Sequence, residues 1–137
     1  MKKEAIKNFT ITESNHLIIE CKVNNIISRL IIDTGASNSC INYLSANKFK
    51  ITFKKYDEKA SSATNHIKEI FYSNNNILEI EDLKKNNFEV ILFDMTHINN
   101  SLREKGIKDV DGVIGGDILK EFNAIINYKK KIIILNL

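Results

Sequence analysis

The segment LIIDTGAS, Leu30 to Ser37, is the part of the chain whose residue types could most readily do chemistry. An apolar, β-branched run ends at an acid, Asp33, and small residues follow it. A carboxylate at the end of a buried strand costs free energy unless it has a partner or a purpose. The hydroxyl of Thr34 can hold a neighbouring loop, and Gly35 allows another backbone to approach closely. The pattern therefore marks Asp33 as a candidate functional carboxylate.

A second segment, VDGVIGGDILKEFNAIINY, places two apolar residues directly before Gly115. Together the two segments resemble the retropepsin-like (clan AA) aspartic peptidases, whose signature is an Asp-Thr-Gly loop and, later, an apolar-apolar-Gly loop that passes behind it. The order and the spacing of the two segments both agree with that signature. The resemblance begins near Ile18 and is specific at Ile31 to Ser37 and at Gly112 to Leu119.

The resemblance implies an aspartic endopeptidase in which Asp33 is the catalytic residue and the hydroxyl of Thr34 locks against a partner subunit. The rest of the active-site loop would be Gly35, Ala36 and Ser37. Two carboxylates a few ångströms apart cannot both ionise, so such a pair shares one proton: one activates a water while the other polarises the scissile carbonyl. The chain has one Asp-Thr-Gly and no length for a second lobe. We therefore expect a homodimer that acts on a peptide or protein substrate without a metal or organic cofactor.

Two features depart from the retroviral members of the family. Their loop continues with an acid that pairs with an arginine after the later glycine, and here Ser37 and Gly116 take those places, which leaves no orphan charge. Their flap is a glycine-rich hairpin that closes over substrate, whereas the corresponding stretch here, about Tyr56 to Ile70, contains no glycine. Asn65 is the predicted tip, because asparagine tolerates the left-handed conformation. An ordinary polar loop is the alternative for this stretch.

Val113 and Ile114 are expected beside the substrate cleft. Val113 either lines an apolar side-chain pocket or simply packs in the core, and the sequence favours neither role over the other. A peptide in this cleft would be extended and held by backbone hydrogen bonds, as an added strand is.

The elements that must position these residues are mostly strands. HLIIECKV and IISRLIID, joined by an Asn-Asn pair, predict a tight hairpin that ends at Asp33. Further strand-like runs are ITFKKY, IKEIFY, ILEIEDL and FEVILFD, and AIINYKKKIIILNL predicts a terminal strand pair. NNSLREKG is a helical or irregular excursion closed by Gly106, and DILKEF is a short helix with Asp117 at its start. We therefore expect one domain over residues 1–137, with a mainly β, closed-barrel-like fold and one short C-terminal helix.

The terminal strands around Lys131 to Leu137 are predicted dimer contacts, together with the Thr34 loop. Their apolar IIIL run, if it lay at an exposed sheet edge, would otherwise invite aggregation.

Charge and hydropathy argue against other classes of partner. The formal net charge is only +3, and the lysines are scattered except at residues 129–131, so we expect no nucleic-acid binding. Polar residues interrupt every apolar run before it reaches signal-peptide or membrane-span length. The sequence therefore predicts a cytoplasmic protein without membrane contact.

The cysteines and histidines do not form a metal-binding pattern. Cys21 and Cys40 lack metal-ligand spacing and are expected to be reduced and partly buried. The histidines stand in unrelated segments, where each is expected to be a surface or hydrogen-bonded residue: His16, His66 and His97.

Two other functions are compatible with parts of the sequence. A catalytically silent member of the same fold could dimerise or bind peptides; the atypical flap favours this alternative, and the intact DTGAS opposes it. KDVDGVIGGDIL is also superficially similar to the Asp-x-Asp-Gly start of haloacid-dehalogenase-type phosphatases. Asp109, however, follows a polar stretch rather than a buried strand and precedes only a short tail. Asp109 and Asp111 are therefore expected in a solvated turn, with Asp111 at the rim of the cleft.

Overall fold

Eleven strands lie in the part of the chain that the computed structural model describes, residues 4–55 and 69–136. In chain order they are β1 (Glu4–Asn8), β2 (Thr10–Ile11), β3 (Leu17–Val23), β4 (Ile26–Ile32), β5 (Cys40–Asn42), β6 (Lys54–Lys55), β7 (Phe71–Ile80), β8 (Leu83–Phe93), β9 (Gly112–Ile114), β10 (Ile125–Asn127) and β11 (Ile132–Asn136). The helices are a 3-10 turn (Tyr43–Ser45), α1 (Thr96–Glu104) and α2 (Gly116–Glu121).

Eight of these strands form one sheet in the order β2-β3-β4-β9-β5-β8-β7-β6. The sheet closes on itself because β3 pairs with β7 as well as with β4, through Lys22↔Glu79 and Val23↔Leu78. Closure removes the open edges that a flat sheet would expose. The expected mainly β, closed-barrel-like fold is confirmed.

The hairpin that leads to Asp33 is β3–β4, in register from Leu17↔Ile32 to Val23↔Ile26. Its turn residues, Asn24 and Asn25, have φ of 51° and 70°, which is the left-handed backbone that a two-residue hairpin requires and that asparagine tolerates. The prediction of a tight Asn-Asn hairpin is confirmed.

Strand β9 lies between β4 and β5, although β5 precedes it by some seventy residues in the chain. It runs parallel to β4, with Ile31↔Val113, and antiparallel to β5, with Cys40↔Val113. A Cβ added at Gly112 would lie 2.1 Å from the carbonyl oxygen of Cys40, so only glycine permits this approach. The arrangement brings the loop after β4 and the loop after β9 to the same place.

The longest strands, β7 and β8, correct the predicted strand boundaries. The runs IKEIFY and ILEIEDL were expected as separate strands, whereas β7 passes through the asparagines between them and the turn comes at residues 81–82. The register shifts on either side of Asn76, whose buried amide donates to the carbonyl of Phe88 at 3.1 Å. A β-bulge therefore accommodates residues that would otherwise end the strand.

A second sheet has the order β1-β11-β10 and was only half predicted. The pair β10–β11 is confirmed, but β1 also pairs with β11, from Glu4↔Asn136 to Asn8↔Ile132. Strand β11 is therefore the centre of this sheet, so its IIIL run is not an open edge within the subunit, and the expected dimer contact of the terminal strands stays a prediction. Ile133 and Leu135 are each 1% exposed and belong to the core.

The interior has two apolar clusters on opposite faces of the barrel wall. Along β4, Leu30 and Ile32 enter the main core, whereas Ile31 points to the other side, as the period of two in a strand requires. The second cluster contains Ile18, Ile31, Cys40, Met95, Leu102, Val110 and Val113. Helix α1 covers it, held by the buried amide of Asn99, which donates to the carbonyl of Val110 (3.2 Å) and accepts from its amide (2.8 Å).

The predicted C-terminal helix is confirmed as α2, and the excursion before it contains α1. Gly106 has φ of 73° just after α1, in agreement with its predicted role in closing that segment. Within the described ranges, no helix is both long and apolar enough to cross a membrane.

Candidate active site

Asp33 is the first residue after β4, and backbone contacts fix it in place. Its amide donates to the carbonyl oxygen of Ile114 at 2.9 Å, which continues the β4–β9 ladder by one residue. Its Oδ1 accepts a hydrogen bond from the amide of Gly35 at 2.9 Å. The carboxylate is exposed in the single chain. The end of β4 therefore presents the Asp33 carboxylate to solvent, directly after a run of β-branched residues.

The predicted loop residues stay together around this carboxylate. The amide of Ala36 donates to the carbonyl oxygen of Asp33 at 3.2 Å, so the chain turns tightly. A Cβ at Gly35 would stand 3.3 Å from Oδ1 of Asp33, which explains the small residue there. Thr34 and Ser37 are exposed, and Ala36 is half-buried against the second cluster.

The loop after β9 packs directly behind the Asp33 loop. The amide of Gly116 donates to the carbonyl oxygen of Ala36 at 2.6 Å. A Cβ at Gly115 would come within 2.7 Å of that same oxygen and 2.9 Å of the Asn38 backbone. Because φ of Gly115 is −101°, glycine is needed here for space and not for its backbone freedom. The resemblance implied this arrangement of the two loops, and the geometry agrees with it.

A pair that the sequence did not reveal, Ser39 and Asp117, ties the two loops together. The carboxylate of Asp117 accepts from the amide of Ser39 at 3.1 Å and from its hydroxyl at 2.8 Å. The hydroxyl oxygen of Ser39, 0% exposed, accepts in turn from the amide of Gly115 at 3.0 Å. Asp117 was expected to begin a helix, but Gly115 is the residue that precedes α2, and the Asp117 side chain bonds to Ser39 instead.

Ser39 follows Ser37 by two residues, and Asp117 directly follows Gly116; Ser37 and Gly116 are the positions that the resemblance compares with the retroviral acid–arginine contact. Ser37 and Gly116 carry no charge, and the Asp117–Ser39 contact supplies the link between the two loops from neighbouring positions. The sequence signal for this contact was an acid two residues after Gly115, and the structure places that acid half-buried in the first turn of α2.

The three predicted cleft residues have different outcomes. Val113 is 8% exposed and lies in the second cluster, among Ile31, Cys40 and the residues beneath α1. Ile114 is 1% exposed and points into the main core, directly before the loop that packs behind Asp33, and its expected place beside the cleft stays a prediction. Asn65, the predicted flap tip, lies outside the described residues, as does nearly all of the predicted flap.

Asp109 and Asp111 do not form a catalytic pair of the phosphatase type. Asp109 is exposed and bound to Arg103, whose hydrogen bond lowers the pKa of that carboxyl. Asp111 is not in a solvated turn as expected: its Oδ2 accepts from the amide of Arg29 at 2.9 Å, and Oδ1 lies 3.3 Å from Nζ of Lys48. Asp111 thus fixes the entry into β9.

The two cysteines are free and buried, as expected, although more deeply than predicted. Burial raises the pKa of the Cys21 thiol to about 11 and that of Cys40 to about 12. Over the same described ranges, no group of three or more His, Cys, Asp or Glu side chains is placed to hold a metal ion.

Comparison with known proteins agrees with this geometry. A family model described as aspartyl protease matches residues 19–118. Among solved structures, a retropepsin-like aspartic protease from Rickettsia conorii is similar with a TM-score of 0.59 and 19% identity, over 99% of this chain and 90% of that one. No curated protein sequence matches the chain significantly.

Two further solved structures share the fold. The retroviral protease-like domain of Ddi1 from Leishmania major has a TM-score of 0.60 and 17% identity, over 93% of this chain and 96% of that one. EIAV protease in complex with the inhibitor HBY-793 has a TM-score of 0.58 and 16% identity, over 86% of this chain and 98% of that one. At these identities the likeness shows the fold alone, which is the retropepsin fold.

Proposed function

We propose that this chain, which belongs to the aspartyl protease family, is one subunit of a homodimeric aspartic endopeptidase. Each subunit supplies one Asp33, and the two carboxylates meet across the dimer axis. The observation that carries the proposal is the exposed Asp33 carboxylate at the end of β4, in a loop braced from behind by Gly115, Gly116 and Asp117.

The chemistry follows from two carboxylates in one place. Like charges at close range cannot both ionise, so the pair holds one proton between them. The ionised Asp33 accepts a proton from a water, the water attacks the scissile carbonyl carbon, and the protonated Asp33 polarises the carbonyl oxygen. Rigid backbone placement matters here because general acid–base catalysis depends on hydrogen-bond distances.

A peptide bound in an extended conformation suits this site. The strand that leads to Asp33, β4, is paired on both sides within the chain, so a peptide would make its backbone hydrogen bonds with the loops around Asp33 and not with β4. We take residues 1–137 as one catalytic domain, with the Thr34 loops and the β1-β11-β10 sheet as the surfaces that meet the partner.

The decisive experiment compares wild type with Asp33→Asn. Wild type should sediment as a dimer at tens of micromolar, and it should cleave peptides in a mixture that is analysed by mass spectrometry. The cleavage rate should have a bell-shaped pH dependence, whose two apparent pKa values describe the pair of Asp33 carboxyls and not either one alone. Asp33→Asn should lose at least 10²-fold to 10⁴-fold in rate, because one substitution removes both general bases. Its circular dichroism should be unchanged, and its unfolding free energy equal or slightly higher, since like-charge repulsion is removed.

Two outcomes would contradict the proposal. A strictly monomeric wild type would leave each carboxylate alone, and equal cleavage by Asp33→Asn would show that another group does the chemistry. A dimer that binds peptides but never cleaves them would support the catalytically silent alternative.

A further inference from the structure

A pocket away from the Asp33 loop lies at one end of the neighbouring strands β5, β8 and β7. Because β5 and β8 are parallel, both end on this side of the sheet, where Tyr43 and Asp94 follow them. Strand β7 is antiparallel to β8 and begins here with Phe71. The pocket has a volume of about 530 Å³, within the range of about 300–1,000 Å³ that is usual for ligand sites. Its lining includes Tyr43, Leu44, Glu69, Phe71, Asp94 and Thr96.

The two sides of this pocket are held together by one buried amide. The side-chain oxygen of Asn42, a residue only 7% exposed, accepts from the amide of Leu44 at 3.2 Å and from the amide of Met95 at 3.1 Å. Leu44 belongs to the turn after β5, and Met95 lies in the segment between β8 and α1. The pocket is therefore formed before any ligand arrives, which lowers the cost of ordering it on binding.

Aromatic rings form the apolar part of the pocket. Tyr43 and Phe71 are half-buried and stacked, with 4.5 Å between ring centroids and 13° between ring planes. Phe53 supports both rings by packing edge-on against them, at centroid distances of 5.3 Å and 5.1 Å. Leu44 is 64% exposed and extends the apolar surface towards solvent. Aromatic rings attract a cation placed over their faces, so this surface suits an apolar group that carries positive charge.

The ionisable groups around the pocket favour a cation as well. Glu69 and Asp94 supply carboxylates, His97 is the one basic side chain in the described lining, and no lysine or arginine is part of that lining. Glu69 is exposed and makes no ion pair with the rest of the described chain. Asp94 already accepts from the amide of Thr96 at 2.9 Å, so Glu69 is the carboxylate on which the inference depends.

We propose that this pocket binds an arginine side chain of a protein segment that docks outside the active-site cleft. The guanidinium group is planar, so it can lie against the rings of Tyr43 and Phe71 while it donates to the carboxylate of Glu69. The alkyl part of the arginine packs on Leu44. None of residues 33–37 is in the described lining of the pocket, so the inference does not depend on the proposed function.

The test titrates isotope-labelled wild type with N-acetyl-arginine amide and, separately, with N-acetyl-citrulline amide, which has nearly the same shape and no charge. Amide chemical shifts in NMR spectra report where each probe binds. The arginine probe should shift the amide signals of Leu44 and Thr96 and leave those of Gly35 and Ala36 unchanged. Its dissociation constant should be about tenfold lower than that of the citrulline probe or lower still, which is the range for a hydrogen bond to a charged group.

Glu69→Gln should raise the dissociation constant of the arginine probe about tenfold, because the exposed side chain keeps its shape and loses its charge. Phe71→Leu should also weaken binding, since leucine is apolar but has no ring. Glu104→Gln is the matched control: Glu104 is an exposed carboxylate on α1 that is not in the described lining, so the same loss of charge should leave the dissociation constant unchanged.

Three results would overturn the inference: equal binding of the arginine and citrulline probes, equal dissociation constants for Glu69→Gln and Glu104→Gln, or shifts confined to the Asp33 loop. None of these measurements involves cleavage, so each of them would leave the proposed function standing. A wild type that binds the arginine probe in this pocket but cleaves no peptide would support the inference and contradict the proposed function.

Discussion

Asp117 holds Ser39 at two atoms, accepting from its amide at 3.1 Å and from its hydroxyl at 2.8 Å. Ser39 lies in the loop before β5 and Asp117 in the first turn of α2, and the insertion of β9 between β4 and β5 brings the two together. Since the hydroxyl oxygen of Ser39 also accepts from Gly115, the three residues form one connected contact behind Asp33. The position of the Asp33 loop thus depends on a side-chain pair that does not touch the Asp33 carboxylate.

Asp117→Ala should lower the unfolding free energy by about 2–4 kcal/mol, because it leaves a buried amide and hydroxyl without an acceptor. Asp117→Asn, which retains one carbonyl oxygen, should recover about half of that loss. Urea denaturation measures both. Glu121→Ala is the control from the same helix: its contact with Lys85 is a partly exposed ion pair, worth at most about 1 kcal/mol. A loss in Asp117→Ala no larger than in Glu121→Ala would show that the contact is not important for stability.

Thr34→Val should weaken the dimer, because it keeps the shape of the exposed side chain and removes the hydroxyl proposed to bind the partner. Symmetry deletes the contact twice, and at about 1 kcal/mol for each hydrogen bond the dissociation constant should rise about 30-fold. Thr34→Ser keeps the hydroxyl and should dimerise as wild type does. Sedimentation equilibrium across a dilution series measures the constants. Equal dissociation constants for the valine and serine variants would show that the Thr34 hydroxyl does not contribute to the interface.

Gly112→Ala should be severely destabilising, by about 3 kcal/mol or more, since the new methyl group would stand 2.1 Å from the carbonyl oxygen of Cys40 and backbone would have to move. Gly106→Asn is the control, because Gly106 has φ of 73° and a new Cβ there would have nothing within 4 Å. Asparagine tolerates that backbone, so this variant should lose no more than about 1 kcal/mol. Thermal unfolding followed by circular dichroism ranks the two, and a reversed order would contradict the close strand approach.

The buried thiols predict a loss of stability in alkali. Burial raises the pKa of Cys21 to about 11 and of Cys40 to about 12, whereas thiols in an unfolded chain ionise near ~8.5. Below that pH both states are protonated and the thiols have no effect; above it only the unfolded chain releases protons, so stability falls until the folded pKa is reached.

Between pH 8 and pH 10, wild type should therefore lose about 3 kcal/mol more unfolding free energy than the double variant Cys21→Ala, Cys40→Ala, in which lysine titration is unchanged. Urea titrations at the two pH values measure this difference. Parallel pH dependence in both proteins would mean that the thiols ionise freely in the folded chain. A thiol-reactive dye should likewise label native protein only as fast as it unfolds.

Local patterns were sufficient to predict the hairpin that delivers Asp33, because strand periodicity and two asparagines at a turn are short-range signals. The short helix α2 and the terminal strand pair followed in the same way. The asparagines within β7 led to the wrong prediction of two separate strands, because asparagine normally marks a turn. Only the burial of Asn76 against the Phe88 carbonyl shows that the strand continues through them.

Long-range contacts were beyond the sequence. EAIKN is too polar to indicate a strand, and β1 exists because β11 is there to pair with it at the other end of the chain. Ser39 and Asp117 are 78 residues apart, and no local pattern connects a serine after one loop with an acid after another. The catalytic candidate could therefore be named in advance, whereas the residues that brace it could not.

Strand β11 takes both of its neighbours, β1 and β10, from its own chain. The core side chains of Ile133 and Leu135 are therefore buried by elements of the same subunit, and we expect a subunit of the proposed dimer to keep this sheet when it dissociates. If the proposed homodimer separates, each subunit should stay folded but lack the second Asp33 that the proposed chemistry requires. On that proposal, the concentration of the chain sets how much of it is dimeric and active, with no refolding step between the two states.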